Sequence, residues 1–390
     1  MFINVLVVCD YFLPGSKAGG PIRTLQNMAK LTAGHVKFHF LTRNHDLGAE
    51  PYDGIRSHQW ANYSHGDVFY ASKHAFGIPA LCKALSEREV DLLYLNSFFS
   101  AKGSIAIVAR NWLRPFGIPI LLAPRGEFSL GALAIKSGRK RLFLALARTL
   151  GMHRQVWWHA STQEERSDIL RQFPDAGPRI FTAEDPVEAS REAIPGGMGK
   201  NVGYARLVFI SRIAPKKNLD GLLDILQCVK CQVTLQIYGP IEHRAYWRRC
   251  QAKIAALPPN IVVEYRGELA PEEVPLAFSE GDLFSFPTHG ENFGHVIFEA
   301  LRAGTPVAVS DQTPWQPDGT SAVARFSLEA VDDWRTHIES VALLTEAEQQ
   351  ARRAEARRYA WRHATSEKTR MDNLRMFEEV ARRNTMKVDR

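Results

Sequence analysis

Pro287-Thr288-His289-Gly290-Glu291-Asn292-Phe293-Gly294-His295-Val296-Ile297-Phe298-Glu299-Ala300-Leu301-Arg302-Ala303-Gly304-Thr305-Pro306 is the stretch from which the rest of the chain can be read. Residues 282–286 before it form a short apolar run that reads as a buried strand. A glycine-flanked loop follows, and a helical pattern begins near Gly294. Gly304-Thr305-Pro306 then closes the helix and opens another strand over residues 306–310. Strand, loop, helix and strand in that order predict parallel α/β architecture. The first N–H groups of such a helix lack partners and lie at the positive end of its dipole, so the loop can receive hydroxyl or phosphate oxygens. Glu291 stands in the loop, and Glu299 stands one to two turns into the helix. Eight residues apart, the two carboxylates reach different parts of one extended ligand. The plainer alternative, for this stretch alone, is a helix cap at Glu291 and a solvated Glu299.

The same alternation runs outward in both directions. Strands are predicted over residues 5–9, 37–42, 92–95, 119–123 and 156–160. A second series is predicted over 205–210, 233–238, 261–266, 282–286 and 306–310. Between the two series, residues 188–201 are rich in proline, glycine and charge and read as a linker. Two doubly wound domains follow from this: 1–187, and 202–365. Residues 346–383 are helical by composition, with no internal glycine or proline.

Composition narrows the class. The chain has 390 residues, 45% hydrophobic and 23% charged, which excludes low-complexity disorder, collagen-like repetition and a disulfide miniprotein. The net charge of +7 is too mild for a nucleic-acid coat, but it is unevenly spread. Residues 128–163 hold no acid at all and carry Lys136, Arg139, Lys140, Arg141, Arg148 and Arg154, a one-signed field suited to an anionic partner. Five cysteines without a regular framework fit a reducing compartment, and Cys228-x-x-Cys231 lacks a second ligand pair. Met1 to Asp10 is apolar without a basic leader and reads as a first strand, not a secretion signal. No apolar run reaches the roughly 20 residues of a spanning helix.

Several signatures are missing. There is no G-x-G-x-x-G after the first strand, no Walker A loop, no H-E-x-x-H and no G-x-S-x-G, so dehydrogenase, NTPase, zinc-hydrolase and serine-esterase functions are disfavoured. No two aspartates are spaced D-x-D, which removes the usual carboxylate pair for a metal–diphosphate.

Leu207-Val208-Phe209-Ile210-Ser211-Arg212-Ile213-Ala214-Pro215-Lys216-Lys217-Asn218 supplies the complement. A buried strand delivers Arg212 and Lys217 to its C-terminal edge, where open α/β sheets bind ligands. Two fixed cations there can neutralise a diphosphate without metal; a basic surface turn is the bland alternative.

Together these residues resemble the retaining glycosyltransferases of family 4. Ser211 to Asn218 is similar to that family's G-R-L-x-x-x-K-[GN] segment. Glu291 to Glu299 resembles its E-x7-E motif. Gly19-Gly20 with Arg23 resembles its glycine loop after the first strand. The resemblance covers nearly the whole chain. It implies a GT-B fold, two Rossmann-like domains facing across a cleft, with a C-terminal helix over about residues 366–390 crossing back to the first. It also implies a donor site in which Arg212 and Lys217 hold the diphosphate, Glu291 and the backbone of Phe293, Gly294, His295 and Val296 contact the sugar, and Glu299 binds the ribose. Gly19 and Gly20 would approach the donor phosphates, and Arg266 and Gly267 would border the base. Pro124-Arg125-Gly126-Glu127 stands where many relatives place a histidine, so that histidine's role does not transfer; Arg125 and Glu127 become acceptor-side candidates.

The implied activity is metal-independent, retaining transfer of a hexosyl group from a nucleotide-diphosphate sugar to a glycan or polyprenyl-linked acceptor. The setting is bacterial exopolysaccharide or lipopolysaccharide synthesis, with no cofactor and no nucleic-acid partner. UDP-sugar is favoured over GDP-mannose. The implied location is the cytoplasm, peripheral to the inner face of the plasma membrane. A GT-B epimerase or phosphorylase is the rival enzyme. A non-catalytic module for anionic surfaces, with Phe143, Trp157 and Trp158 interleaved among cations, is the rival of another class.

Overall fold

The computed structural model of the protein describes residues 2–15, 17, 19–48, 50–134, 137–188 and 199–388. Lys136 and most of the linker expected over 188–201 lie outside them. Packing divides the chain into two compact units: residues 1–187 with 365–390, and residues 188–364.

Among the described residues the first unit is built on eight strands: β1 (Ile3–Val8), β2 (Val36–Arg43), β3 (Trp60–Tyr63), β4 (Gly66–Ala71), β5 (Leu92–Asn96), β6 (Ile120–Ala123), β7 (Trp157–Ala160) and β8 (Ile180–Thr182). Their order is β3-β4-β2-β1-β5-β6-β7-β8, parallel throughout except for the β3–β4 hairpin. The order reverses between β1 and β5. Val5, Val7, Phe38, Phe40, Leu92 and Tyr94 form one buried face of the central strands, and the Glu367–Val388 helix covers it with Leu374, Met376, Phe377 and Val380. The Phe377 ring lies 5.6 Å from both Phe38 and Tyr94.

The segment 346–383, helical by composition, is built of two helices, Glu346–Arg362 and Glu367–Val388. The break lies at Thr365, which shares backbone and side-chain hydrogen bonds with Val187. Ser366 restarts the helix by accepting a 3.1 Å bond from the Thr369 N–H, a cap that outweighs the uninterrupted helical composition. The first of the two helices opens on a capping box between Thr345 and Glu348.

The second unit carries β9 (Tyr204–Ile210), β10 (Gln232–Tyr238), β11 (Ile261–Gly267), β12 (Leu283–Phe286), β13 (Val307–Ser310) and β14 (Val323–Phe326). All are parallel in the order β11-β10-β9-β12-β13-β14, the doubly wound arrangement. Its reversal falls between β9 and β12. The two stretches that stood out in the sequence leave the sheet at those two strands.

Burial also sets the response to acid. His153 and His159 are buried in the first unit and His337 lies largely inside the second, and burial lowers all three to about 4. At His159 burial and the nearby Arg125 charge outweigh Asp185 and the 2.8 Å bond from Nε2–H to the Ala183 carbonyl, while Nδ1 faces the Tyr94 hydroxyl at 2.5 Å. The unfolded chain takes up these protons near pH 6.5 and the folded chain does not, so stability falls from pH 6.5 towards pH 4 and levels off below. About 3 kcal/mol per fully buried histidine is at stake. His159→Gln should flatten this dependence in urea titrations at pH 4.5 and 7; an unchanged slope would mean that His159 does not titrate on unfolding.

Candidate donor site of the second unit

The β9 edge and the β12 edge are zipped together by their loops. The His289 N–H donates to the Lys216 carbonyl at 2.9 Å, and the Thr288 hydroxyl oxygen lies 3.1 Å from the same carbonyl. Asn218 Nδ2 donates to the Pro287 carbonyl at 2.8 Å. Asn218 has φ 55°, a left-handed conformation that glycine and asparagine tolerate best, which is the physical reason for asparagine at that place in the motif.

Across this junction Lys217 Nζ donates to Glu291 Oε1 at 2.7 Å, with the two side chains 13% and 11% exposed. The Thr288 hydroxyl donates to the same oxygen at 3.0 Å. Burial works against the Glu291 charge. The Lys217 and Lys216 ammonium groups and the bonds from Lys217 and Thr288 outweigh it, holding the carboxyl below its usual range. Lys217 also lies 5.5 Å from the Phe286 ring centre. The expected cation and the expected carboxylate therefore meet as one mostly buried pair at the reversal point. The resemblance assigns Lys217 to a diphosphate and Glu291 to a sugar, and says nothing of a contact between them.

Gly294 precedes the His295–Ala303 helix with φ 82° and ψ 59°. Among the described residues, the Gly294 and Val296 N–H groups have no acceptor in the protein. The Phe293 and His295 rings lie tilted against each other beside this turn, their centres 4.9 Å apart, and Glu299 lies half-buried on the helix that follows.

Arg212 is half-exposed and pairs with Glu242 at 2.7 Å, not with Glu291. Glu242 was missed because it sits in the loop after β10, outside any motif. Arg266 is exposed at the end of edge strand β11 and pairs with Glu264. Its neighbour Gly267 accepts the Gly239 N–H at 2.7 Å. A side chain at Gly239 would strike the Ser211 carbonyl at 2.1 Å, so the ends of β9, β10 and β11 are held side by side by glycine.

In the first unit, Gly19 (φ 72°) caps the Gly20–Leu31 helix, and Gly20 is its first residue. Arg125 and Glu127 are engaged inside the protein. Arg125 pairs with Asp185 and donates to Asn96 at 3.0 and 3.1 Å and to the Tyr94 hydroxyl at 2.7 Å. Glu127 accepts the N–H groups of Phe98 and Phe99 at 2.5 and 3.0 Å and the Ser97 hydroxyl at 2.8 Å. These contacts fix the turns after β5 and β6 and account for both residues without an acceptor. Trp158, grouped with the surface aromatics, has no exposure and belongs to the core, while Trp157 carries Arg383 over its ring at 4.8 Å.

The arrangement is that of a GT-B fold. Anabaena HepE, solved with UDP and glucose, shares it at TM-score 0.66 and 15% identity, over 98% of this chain and all of that one. Sucrose-phosphate synthase from Thermosynechococcus elongatus does so at TM-score 0.65 and 16% identity, over 99% and 98% of the two chains. Residues 190–360 match the family model Glycosyl transferases group 1. O-antigen chain mannosyltransferase B of Escherichia coli is 23% identical over 232 residues, 52% of this chain and 56% of that protein. The sulfoquinovosyl transferase SQD2 of Arabidopsis thaliana is 29% identical over 170 residues, 41% and 31% of the two. The chain thus spans about half the length of the first curated relative and about a third of the second.

Proposed function

We propose that the protein is a retaining, metal-independent glycosyltransferase that moves a hexosyl group from a nucleoside-diphosphate sugar to a glycan or polyprenyl-linked acceptor in surface-polysaccharide synthesis. The carrying observation is the Lys217–Glu291 pair at the reversal point of a doubly wound sheet, beside a helix entry with open N–H donors. The acceptor hydroxyl oxygen bonds to the sugar C1 as the bond from C1 to the diphosphate oxygen breaks. The bond pair and the hydroxyl proton both go to the diphosphate, on one face of the ring. Lys217 and Arg212 stabilise the growing charge, Glu291 orients the sugar, and Glu299 holds the ribose. The donor is read as a UDP-sugar. HepE's complex supports that choice, while the mannosyltransferase makes GDP-mannose the competitor to test. Thermal shift against UDP, GDP and their sugars identifies the donor, because a ligand bound only by the folded state raises Tm by mass action. Transfer should then persist in EDTA. Loss in EDTA with recovery on Mg²⁺ would overturn the metal-independent chemistry.

The same reading puts the enzyme on the inner face of the plasma membrane. Among the described residues no helix is long and apolar enough to cross a membrane. The Ser137–Thr149 helix instead turns Leu142 and Leu146 outward, 73% and 52% exposed, with Leu150 (41%) continuing the stripe one turn on. Arg139, Arg141, Arg148 and Arg154 are exposed around them. Lys140 does not join this face: its Nζ donates to the Ala132 carbonyl at 2.6 Å. Leucines at four-residue spacing flanked by arginines suit an anionic bilayer, each cation adding about 1 kcal/mol. Flotation should require anionic vesicles and be lost in a Leu142→Ser, Leu146→Ser variant. Equal recovery with neutral vesicles would remove the membrane from the proposal.

A further inference from the structure

The loop after β13 grips the donor loop at three points. The Ser310 hydroxyl donates to the Thr288 carbonyl at 2.5 Å, the Glu291 N–H to the Gln312 carbonyl at 3.2 Å, and Trp315 Nε1 to the Phe293 carbonyl at 2.5 Å. The last contact is the one aimed at the helix entry. Trp315 is 4% exposed and its ring packs 5.3 Å from that of Phe293. Behind it stands Tyr359, whose hydroxyl donates to the Gln316 carbonyl at 2.6 Å.

We propose that Trp315 is a positioning residue that aims the Gly294 N–H at the transferred sugar. The peptide joining Phe293 and Gly294 is planar and trans, so its C=O and N–H point in opposite directions. Fixing the carbonyl on Trp315 therefore fixes the N–H on the other side. Gly294 has φ 82°, a glycine turn with no side chain to hold it, and its N–H is an open donor among the described residues. Such a peptide can rotate freely unless something outside the turn holds it. The indole is placed to do so, and the nearby Trp315 Nε1 and Ile297 Cδ1 leave a Gly294 side chain only 3.3 and 3.0 Å of room. A donor preorganised this way discriminates a hydroxyl in place from one slightly displaced.

This inference rests on the donor reading of the site, and the test separates the two. Trp315 is replaced by 3-benzothienylalanine, which keeps the ring shape and exchanges N–H for sulfur; Trp315→Phe is the genetically encoded counterpart. In ligand-free protein, amide exchange in the 288–298 segment should quicken at least about 10-fold, a readout that involves no donor. In ligand titrations with UDP against UDP-glucose and GDP against GDP-mannose, the sugar nucleotide should lose about 10-fold in affinity while the bare nucleotide keeps its own. Unchanged exchange would overturn the pin. Equal losses for nucleotide and sugar nucleotide would overturn the positioning role in favour of general loosening. A wild-type protein that binds neither pair would overturn the donor reading and this role with it, whatever the exchange shows.

Discussion

Lys217→Ala is expected to lower transfer at least about 100-fold, the scale of losing one preorganised charge contact in a site of reduced dielectric. The pair geometry adds a second consequence. Without Lys217, the Glu291 carboxylate keeps its burial and loses its nearest counter-charge, so its proton affinity rises and the acid limb of the pH–rate profile moves up. In the wild type the carboxyl sits below its ordinary range. The pair's contribution to stability is then complete above the unfolded carboxylate pKa and lost as pH falls through the lower folded value. Glu291→Gln should cost a similar factor but leave no titrating group, so its profile lacks that limb. Steady-state rates of both variants from pH 4.5 to 8 decide the matter. Near-normal turnover by Lys217→Ala with the true donor and acceptor would remove the diphosphate role.

Arg125→Ala should cost about 3–5 kcal/mol of stability, because it removes the guanidinium paired with the buried Asp185 carboxylate. Three further bonds, to Tyr94 and Asn96, disappear with it. Arg125→Lys should recover only part of the loss, since an ammonium cannot reproduce a fork that spans Asp185, Asn96 and Tyr94. Urea unfolding followed by tryptophan fluorescence measures both. A variant with an unchanged midpoint but abolished transfer would restore Arg125 to the acceptor.

What could be read from sequence was whatever repeats a strong local pattern. The central strands are apolar runs buried on both faces, and β9 and β12 carry the two informative loops straight off their ends. The hairpin of β3 and β4 escaped because Trp60-Ala61-Asn62-Tyr63 is a half-exposed edge strand whose two-residue turn, Ser64-His65, lacks the usual Asn-Gly signal. β14 hid behind Arg325 in a four-residue run. In the site, residue types and spacing pointed to Lys217 and Glu291 as charged partners of one ligand. Their contact with each other, and those of Arg212 with Glu242 and Trp315 with Phe293, join segments that only the fold brings together. Arg125 and Glu127 are acceptor-side candidates by resemblance alone, and nothing in a linear sequence reveals the buried Asp185 and the row of N–H groups that engage them.

The Thr365–Val187 junction has a consequence for how the protein is made. The second unit is an insertion: residues 188–364 leave and re-enter the first unit at two residues bonded to each other. On the ribosome, β1 and β5 emerge early, but Leu374, Phe377 and Val380, which cover them, arrive only after the insertion has been synthesised. At 5–20 residues per second that delay is roughly 10–40 s. The first domain to start is therefore the last to finish, and the face it leaves open meanwhile is the apolar surface most in need of a chaperone.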